Sequence, residues 1–259
     1  MNIHATHIST ATLLLEIGSL RLLTDPVFDP AGGHYFFGWG THSVKLTEPT
    51  ISTKDLGKID AVLLSHDHHE DNLDRAGRAF LPMANKVITT FAGAKRLGSN
   101  SIGLRTWQST VIESGDTKIK ITAAPARHGT LASHVIVGET TGFVLEWENQ
   151  KHGAVYVSGD TVWFNRLREI GERFNIGTAI LHIGGAQFPI MGPIRFTLNA
   201  KEAVKVIHAL QPHTAIPIHY EGWKHFKETG SDASRVFEAT DVKDKIQWLR
   251  IGISTEVEV

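Results

Sequence analysis

Apolar residues along this chain gather in short runs that end in polar clusters, and the rhythm of those runs predicts the elements. Residues 11–17 and 20–24, rich in Leu and Ile and parted by Gly18-Ser19, predict a hairpin that stops at Asp25-Pro26. From residue 28 to residue 49 neither the strand nor the helix period holds. Glycines and aromatics crowd there (Gly32, Gly33, Tyr35, Phe36, Phe37, Gly38, Trp39, Gly40), which predicts a long ordered loop of the kind that often carries function. Residues 59–65 read as a buried strand feeding a polar loop, and residues 73–81 as a helix halted by Pro82. Strands are predicted at 86–90, 110–113, 118–123, 134–137, 142–147 and 154–158, then a helix over 162–174 and a strand at 179–183. Asn199 is placed to cap a helix running to Leu210, and 214–218 completes the set as a strand. Strands first, then strands and helices in turn, predict layered α and β structure, and with no repeat or linker in sight residues 1–259 read as one domain.

Composition narrows the chemistry. The 259 residues are 41% hydrophobic and 20% charged, enough for a sizeable core. With 26 basic and 27 acidic residues the formal charge is -1, so no overall field draws nucleic acid or an anionic membrane, and neither partner is expected. No apolar run is long enough to span a bilayer and the N-terminus has no secretory pattern, so a cytoplasmic protein is expected. Cysteine is absent, which leaves nitrogen and oxygen as the only metal donors, and there are 15 histidines to supply the nitrogen.

Candidate chemistry sits at the ends of the apolar runs. Ser65-His66-Asp67-His68-His69-Glu70-Asp71-Asn72-Leu73-Asp74 packs three imidazoles and four carboxylates into one segment, a density that a bound divalent cation would compensate. His128 follows the run 123–127, Asp160 follows 155–159, and His219 follows 216–218. Strand ends collect on one sheet edge, so these segments are placed to converge on one site. Singly each has a plainer reading: His128 as a surface loop residue, Asp160 as a helix cap, His219 as a hydrogen-bonded core histidine. There is no Gly-x-Ser-x-Gly elbow and no dinucleotide or phosphate-loop fingerprint, so no organic cofactor is expected.

As a series, these segments resemble the metallo-β-lactamase-like hydrolases, in particular the branch of the L-ascorbate-6-phosphate lactonase and the N-acyl-phosphatidylethanolamine phospholipase D. That family shows a strand ending in Thr/Ser-His-x-His-x-Asp-His-Leu-Asp, then a histidine, an aspartate after a glycine turn, and a late histidine after Pro-x; the likeness here runs from Asp25-Pro26 to His219. The first motif departs from the pattern. Read without a gap, His66 and His68 fall on the two histidines; read with one inserted residue, His66 and His69 do, Asp71-Asn72 replaces Asp-His, and Leu73-Asp74 falls on Leu-Asp. The second register is preferred, and it puts a weak amide donor, Asn72, where a histidine ligand usually stands, with His68 left as a substitute. A second departure is Thr197, where relatives often carry a histidine that serves the substrate.

The resemblance implies an α/β (α+β) four-layer αββα sandwich and a metal centre in which His66, His69 and His128 hold one ion, Asp71 and His219 the other, and Asp160 bridges them. It implies one or two divalent ions, zinc first with manganese or iron as alternatives, and a hydrolase acting on a small ester, lactone or phosphoester, with Asp71 orienting the nucleophile and carrying the proton. The substrate is expected to be a small molecule, received by loops 32–39, 184–188 and 220–225, and a homo-oligomer is compatible with the sequence. Two alternatives stay open: a phosphodiesterase or nuclease of the same fold, and a non-catalytic metal- or partner-binding module with a degenerate second site.

Overall fold

The computed structural model describes residues 2–98, 100–130 and 138–259. Its strands form two large sheets and a small hairpin. The first sheet is built from β1 (Ile3–Ser9), β2 (Thr12–Ile17), β3 (Leu20–Thr24), β6 (Ala61–Leu63), β7 (Lys86–Thr90), β8 (Ser101–Leu104) and β15 (Thr255–Val257), in the order β15-β1-β2-β3-β6-β7-β8. The second holds β9 (Ser109–Ser114), β10 (Thr117–Pro125), β11 (Thr141–Glu146), β12 (Ala154–Val157), β13 (Ile176–His182) and β14 (Thr214–Ile218), in the order β14-β13-β12-β11-β10-β9. Between them lies one apolar core in which Leu13, Leu15, Leu22, Leu63 and Ile88 of the first sheet meet Ile119, Ile121, Phe143, Val155 and Ile180 of the second.

Helices cover both outer faces, so the architecture is the four-layer αββα sandwich. α1 (Arg75–Phe80) lies over the first sheet with Phe80 among Leu23, Val62 and Leu64, and α2 (Phe91–Leu97) follows β7 directly. α3 (Arg168–Arg173), α4 (Ala200–Leu210) and α5 (Gly230–Glu238) cover the second sheet. α4 begins where the sequence places it: Asn199 accepts a hydrogen bond from the Glu202 N–H at 2.9 Å, a cap that contributes about 1 kcal/mol. Its buried face, Ala203, Val206, Ile207 and Leu210, recurs at the helical period and packs on the sheet.

The predicted hairpin, helix α4 and strand β14 stand where the apolar runs put them, while other elements differ. β1 was not expected because half of Ile3–Ser9 is polar, yet all but His4 is buried against β2 and β15. The loop over 28–49 contains a short hairpin, β4 (His34–Phe36) with β5 (His42–Val44), turning through Gly38, Trp39 and Gly40, all at positive φ. The helix predicted over 162–174 is shorter: the Val162 N–H donates to the Arg127 carbonyl at 2.8 Å and Phe164 is extended, so regular helix starts only at Arg168. α2, β8, α5 and β15 are further elements, too short or too polar to stand out by period. The strand expected at 134–137 lies outside the described residues. Among those residues no helix is long and apolar enough to cross a membrane.

Candidate metal centre

Strand direction brings the candidate residues together. β6 and β7 run parallel to β3, and β12, β13 and β14 run parallel to one another, so the segments leaving their C-terminal ends share one edge of the sandwich. Ser65 joins the two sheets there: its N–H donates to Asp25 Oδ1 at 2.7 Å and its carbonyl accepts from the Thr141 N–H at 3.1 Å. The turn into Asp160 needs Gly159, whose φ is +57° and where a Cβ would lie 2.5 Å from the Thr141 carbonyl oxygen. His219 leaves β14 at φ 63°, a conformation unusual for a histidine, and its N–H is tied to the Thr10 carbonyl at 2.9 Å.

Three imidazoles form the first cluster. His69 Nδ1 lies 3.1 Å from His66 Nε2 and 3.0 Å from His128 Nε2. His128 Nδ1 donates to the Phe196 carbonyl at 2.8 Å, which leaves its Nε2 lone pair facing the cluster. A single proton can bridge only one pair of these nitrogens, so lone pairs converge where no hydrogen bond can satisfy all of them. Burial, reinforced by the neighbouring imidazoles, holds His69 down to about 3 and His66 well below the usual histidine value; burial also lowers His128. All three are therefore neutral donors near pH 7.

The second cluster mixes charge types. His219 Nε2 lies 3.6 Å from Asp160 Oδ1 and 3.8 Å from Asp71 Oδ2. Burial alone would raise both aspartates. For Asp71 the hydrogen bond and charge of His225 more than offset it, bringing the carboxyl to about 2; for Asp160 the charge of His219 and the hydrogen bond from His182 bring it well below the usual range. The clusters adjoin, with Asp160 Oδ2 3.9 Å from His128 Nδ1.

This donor set fits divalent cations. Asp71 Oδ1, Asp160 Oδ2 and His219 Nε2 are buried without hydrogen-bond partners, a costly state for charged and polar atoms unless a cation lies between them. The ligand atoms of His66, His69 and His128, and those of Asp71, Asp160 and His219, each lie within 4.8 Å of one another. Neutral imidazole with carboxylate suits zinc, manganese and iron.

All six sequence candidates thus meet, and the two histidines between which the register chooses lie apart. His69 turns into the first cluster, whereas His68 is exposed and sits 2.8 Å from Arg96 Nη2. The Asn72 amide donates to Asp160 Oδ1 and to Ser65 Oγ, each at 3.3 Å, while its Oδ1 is buried without a partner. Thr197 is structural, its hydroxyl accepting from the Ala186 N–H at 2.8 Å.

Two histidines here were not among the candidates. His182 Nδ1 lies 3.0 Å from Asp160 Oδ1, and its ring stacks on His219 with centroids 5.5 Å apart. It ends β13 as the other candidates end their strands, a signal hidden because Ile183 continues the apolar run. His225 appeared only as the limit of a substrate loop. Its Nε2 lies 3.0 Å from Asp71 Oδ2 and its Nδ1 2.7 Å from Ser43 Oγ, and it stacks on Phe188. Asp25, fully buried beneath, is pushed well above the usual carboxylate value by burial, against the opposing Ser65 N–H bond.

The three loops singled out in the sequence meet on one wall. Phe37 packs against His69, His225, Phe188 and Trp223 with ring centroids 4.9 to 5.9 Å apart. That wall is anchored by a buried ion pair, Lys45 Nζ to Asp74 Oδ2 at 3.3 Å, both side chains fully enclosed. Asp74 also accepts from the Asp29 N–H at 2.6 Å and caps α1 through Gly77 at 2.8 Å.

The chain is similar to known proteins. The family model described as the beta-lactamase superfamily domain matches residues 20–220. A UPF0173 metal-dependent hydrolase from Deinococcus radiodurans is 31% identical over 204 residues, covering 73% of this chain and 82% of that protein. Another, from Pyrococcus furiosus, is 24% identical over 258 residues, covering 98% of this chain and 100% of its own. Among solved structures, an isothiocyanate hydrolase from Delia radicum gut bacteria superposes with a TM-score of 0.82 at 20% identity, with all of both chains covered, which is a likeness of fold. With its model match spanning most of the sequence, the chain belongs to the beta-lactamase superfamily.

Proposed function

We propose that the protein is a metal-dependent hydrolase of small esters, lactones first and phosphoesters next. The observation that carries this reading is the pair of adjoining buried clusters whose Asp71 Oδ1, Asp160 Oδ2 and His219 Nε2 have no hydrogen-bond partner. In it His66, His69 and His128 would hold one ion and Asp71 and His219 the second, with Asp160 placed between the two clusters. Zinc suits the three-histidine set best, with manganese and iron as alternatives. When bound, such ions supply Lewis acidity that makes hydroxide available near neutral pH and polarises a carbonyl or phosphoryl oxygen.

The chain's own groups do the rest. Asp71 is ionised and its Oδ2 is occupied by His225, so Oδ1 is the oxygen left to orient an attacking water and accept its proton. His182 and Asn72 both address Asp160 Oδ1, fixing that carboxylate so that Oδ2 keeps its direction. Phe37, Phe188 and Phe196 close one side with hydrocarbon, which excludes bulk water and strengthens the electrostatics within.

Elemental analysis of protein purified without chelator or histidine tag tests the reading, on wild type and on a variant carrying His128→Ala and Asp160→Ala. About two equivalents of metal in wild type, mostly lost in the variant, is the expected result for a two-metal site. One tight equivalent would mean that the Asp71 half binds weakly. No metal, even after addition of zinc or manganese, would overturn the proposal.

A further inference from the structure

Beside the imidazole of His128 lies a cavity of about 410 Å³ whose lining includes Phe91, Arg105, Arg127, Glu139 and Thr140. The guanidiniums of the two lining arginines are held by aromatic rings and not by acids. The Arg105 guanidinium carbon sits over Phe91, 3.6 Å from the ring centroid, and that of Arg127 over Phe164 at 4.7 Å. Arg127 spends one N–H on the Trp163 carbonyl at 3.3 Å, while its Nε is enclosed with no hydrogen-bond partner. Neither arginine is ion-paired with a carboxylate among the described residues. Arg96 shows the contrast: Asp67 takes it in two hydrogen bonds of 2.6 and 2.8 Å. Glu139, the one acid in the lining, has its charge felt by Arg96, and two guanidiniums against one carboxylate leave the wall cationic.

An aromatic ring orients a guanidinium without neutralising it, and the in-plane N–H edge stays available to a planar or tetrahedral oxyanion. His128 lines the same cavity, so an anion held there lies near the candidate metal centre. We propose that Arg105 and Arg127 form an oxyanion-recognition subsite beside His128, and that the substrate is a small molecule carrying a carboxylate or phosphate group a few bonds from the bond that is cut. The assignment rests on the hydrolase reading and narrows it from small esters in general to anionic ones. A cavity of this size on a chain of net charge -1 favours a small molecule over a nucleic acid strand.

Two measurements on metal-loaded protein test this. Calorimetric titration with phenyl phosphate and with glutarate should show binding of at least one, the tighter naming the group recognised. Arg105→Gln and Arg127→Gln should each weaken that binding at least tenfold, and the lysine variants should recover part of it. Kinetically, the ratio of kcat/KM for the para-nitrophenyl monoester of glutarate to that for para-nitrophenyl butyrate should fall at least tenfold in each glutamine variant. Unchanged affinity and an unchanged ratio would overturn the subsite while leaving a working hydrolase. Loss of anion binding in the variants, with neither ester cut by wild type, would uphold the subsite and count against the hydrolase. Tighter binding of a single-stranded oligonucleotide than of either small anion, lost in the same variants, would overturn the small-molecule assignment.

Discussion

The two halves of the candidate metal centre reach a similar end by different means. His66, His69 and His128 are three neutral donors from two chain segments, kept uncharged by burial and by one another. Asp71, Asp160 and His219 come from three segments and bring charge into the interior, which is tolerable only because His225, His182 and Asn72 hydrogen-bond to the aspartates. The nitrogen half depends mostly on where backbone places its rings. The carboxylate half depends on a supporting layer, and that layer reaches back to the wall anchored by Lys45 and Asp74.

Substitutions can break or sharpen this contrast. The largest effect is expected at Asp74. Asp74→Ala strands the Lys45 ammonium in an enclosed position and removes the α1 cap, so urea denaturation should show a loss of about 3–5 kcal/mol, typical of a buried pair broken on one side. Next comes His225→Ala, which should lower the affinity of the Asp71 half for metal by roughly 10–100-fold while the three-histidine half keeps its ion, as read by chelator competition. His182→Ala should lower affinity by a comparable roughly 10–100-fold, but in both halves, because it positions the aspartate common to them; equal behaviour of the two variants would erase the distinction. Smallest is Asn72→Ala, which removes one long hydrogen bond to Asp160 and should cost about 1 kcal/mol, close to fivefold in second-metal affinity by the same competition assay.

The same contrast explains what the sequence discloses. His66, His128, Asp160 and His219 each follow an apolar run, and a strand end is legible as a change from apolar to polar; Asp71 belongs to the polar cluster that begins at His66. His69 is legible only once Leu73-Asp74 sets the register of its motif. His182 is hidden because Ile183 extends the run past it, and His225 because it reaches Asp71 from a loop 154 residues away, a tertiary placement that no local pattern encodes. The sandwich is legible in its long apolar strands. β1, β8 and β15 are not: β1 is half polar and buried only by its neighbours, while β8 and β15 are short and largely half-buried.

Asp160, His182 and His219 leave a single edge on or just beyond three neighbouring parallel strands, spaced by backbone hydrogen bonds at about 4.8 Å. Their mutual positions are therefore set by sheet register, whatever the length of the chain that loops back to the far edge. That far edge, around Glu148 to Gly153 and Gln211 to His213, lies at the opposite ends of the same strands from these three side chains.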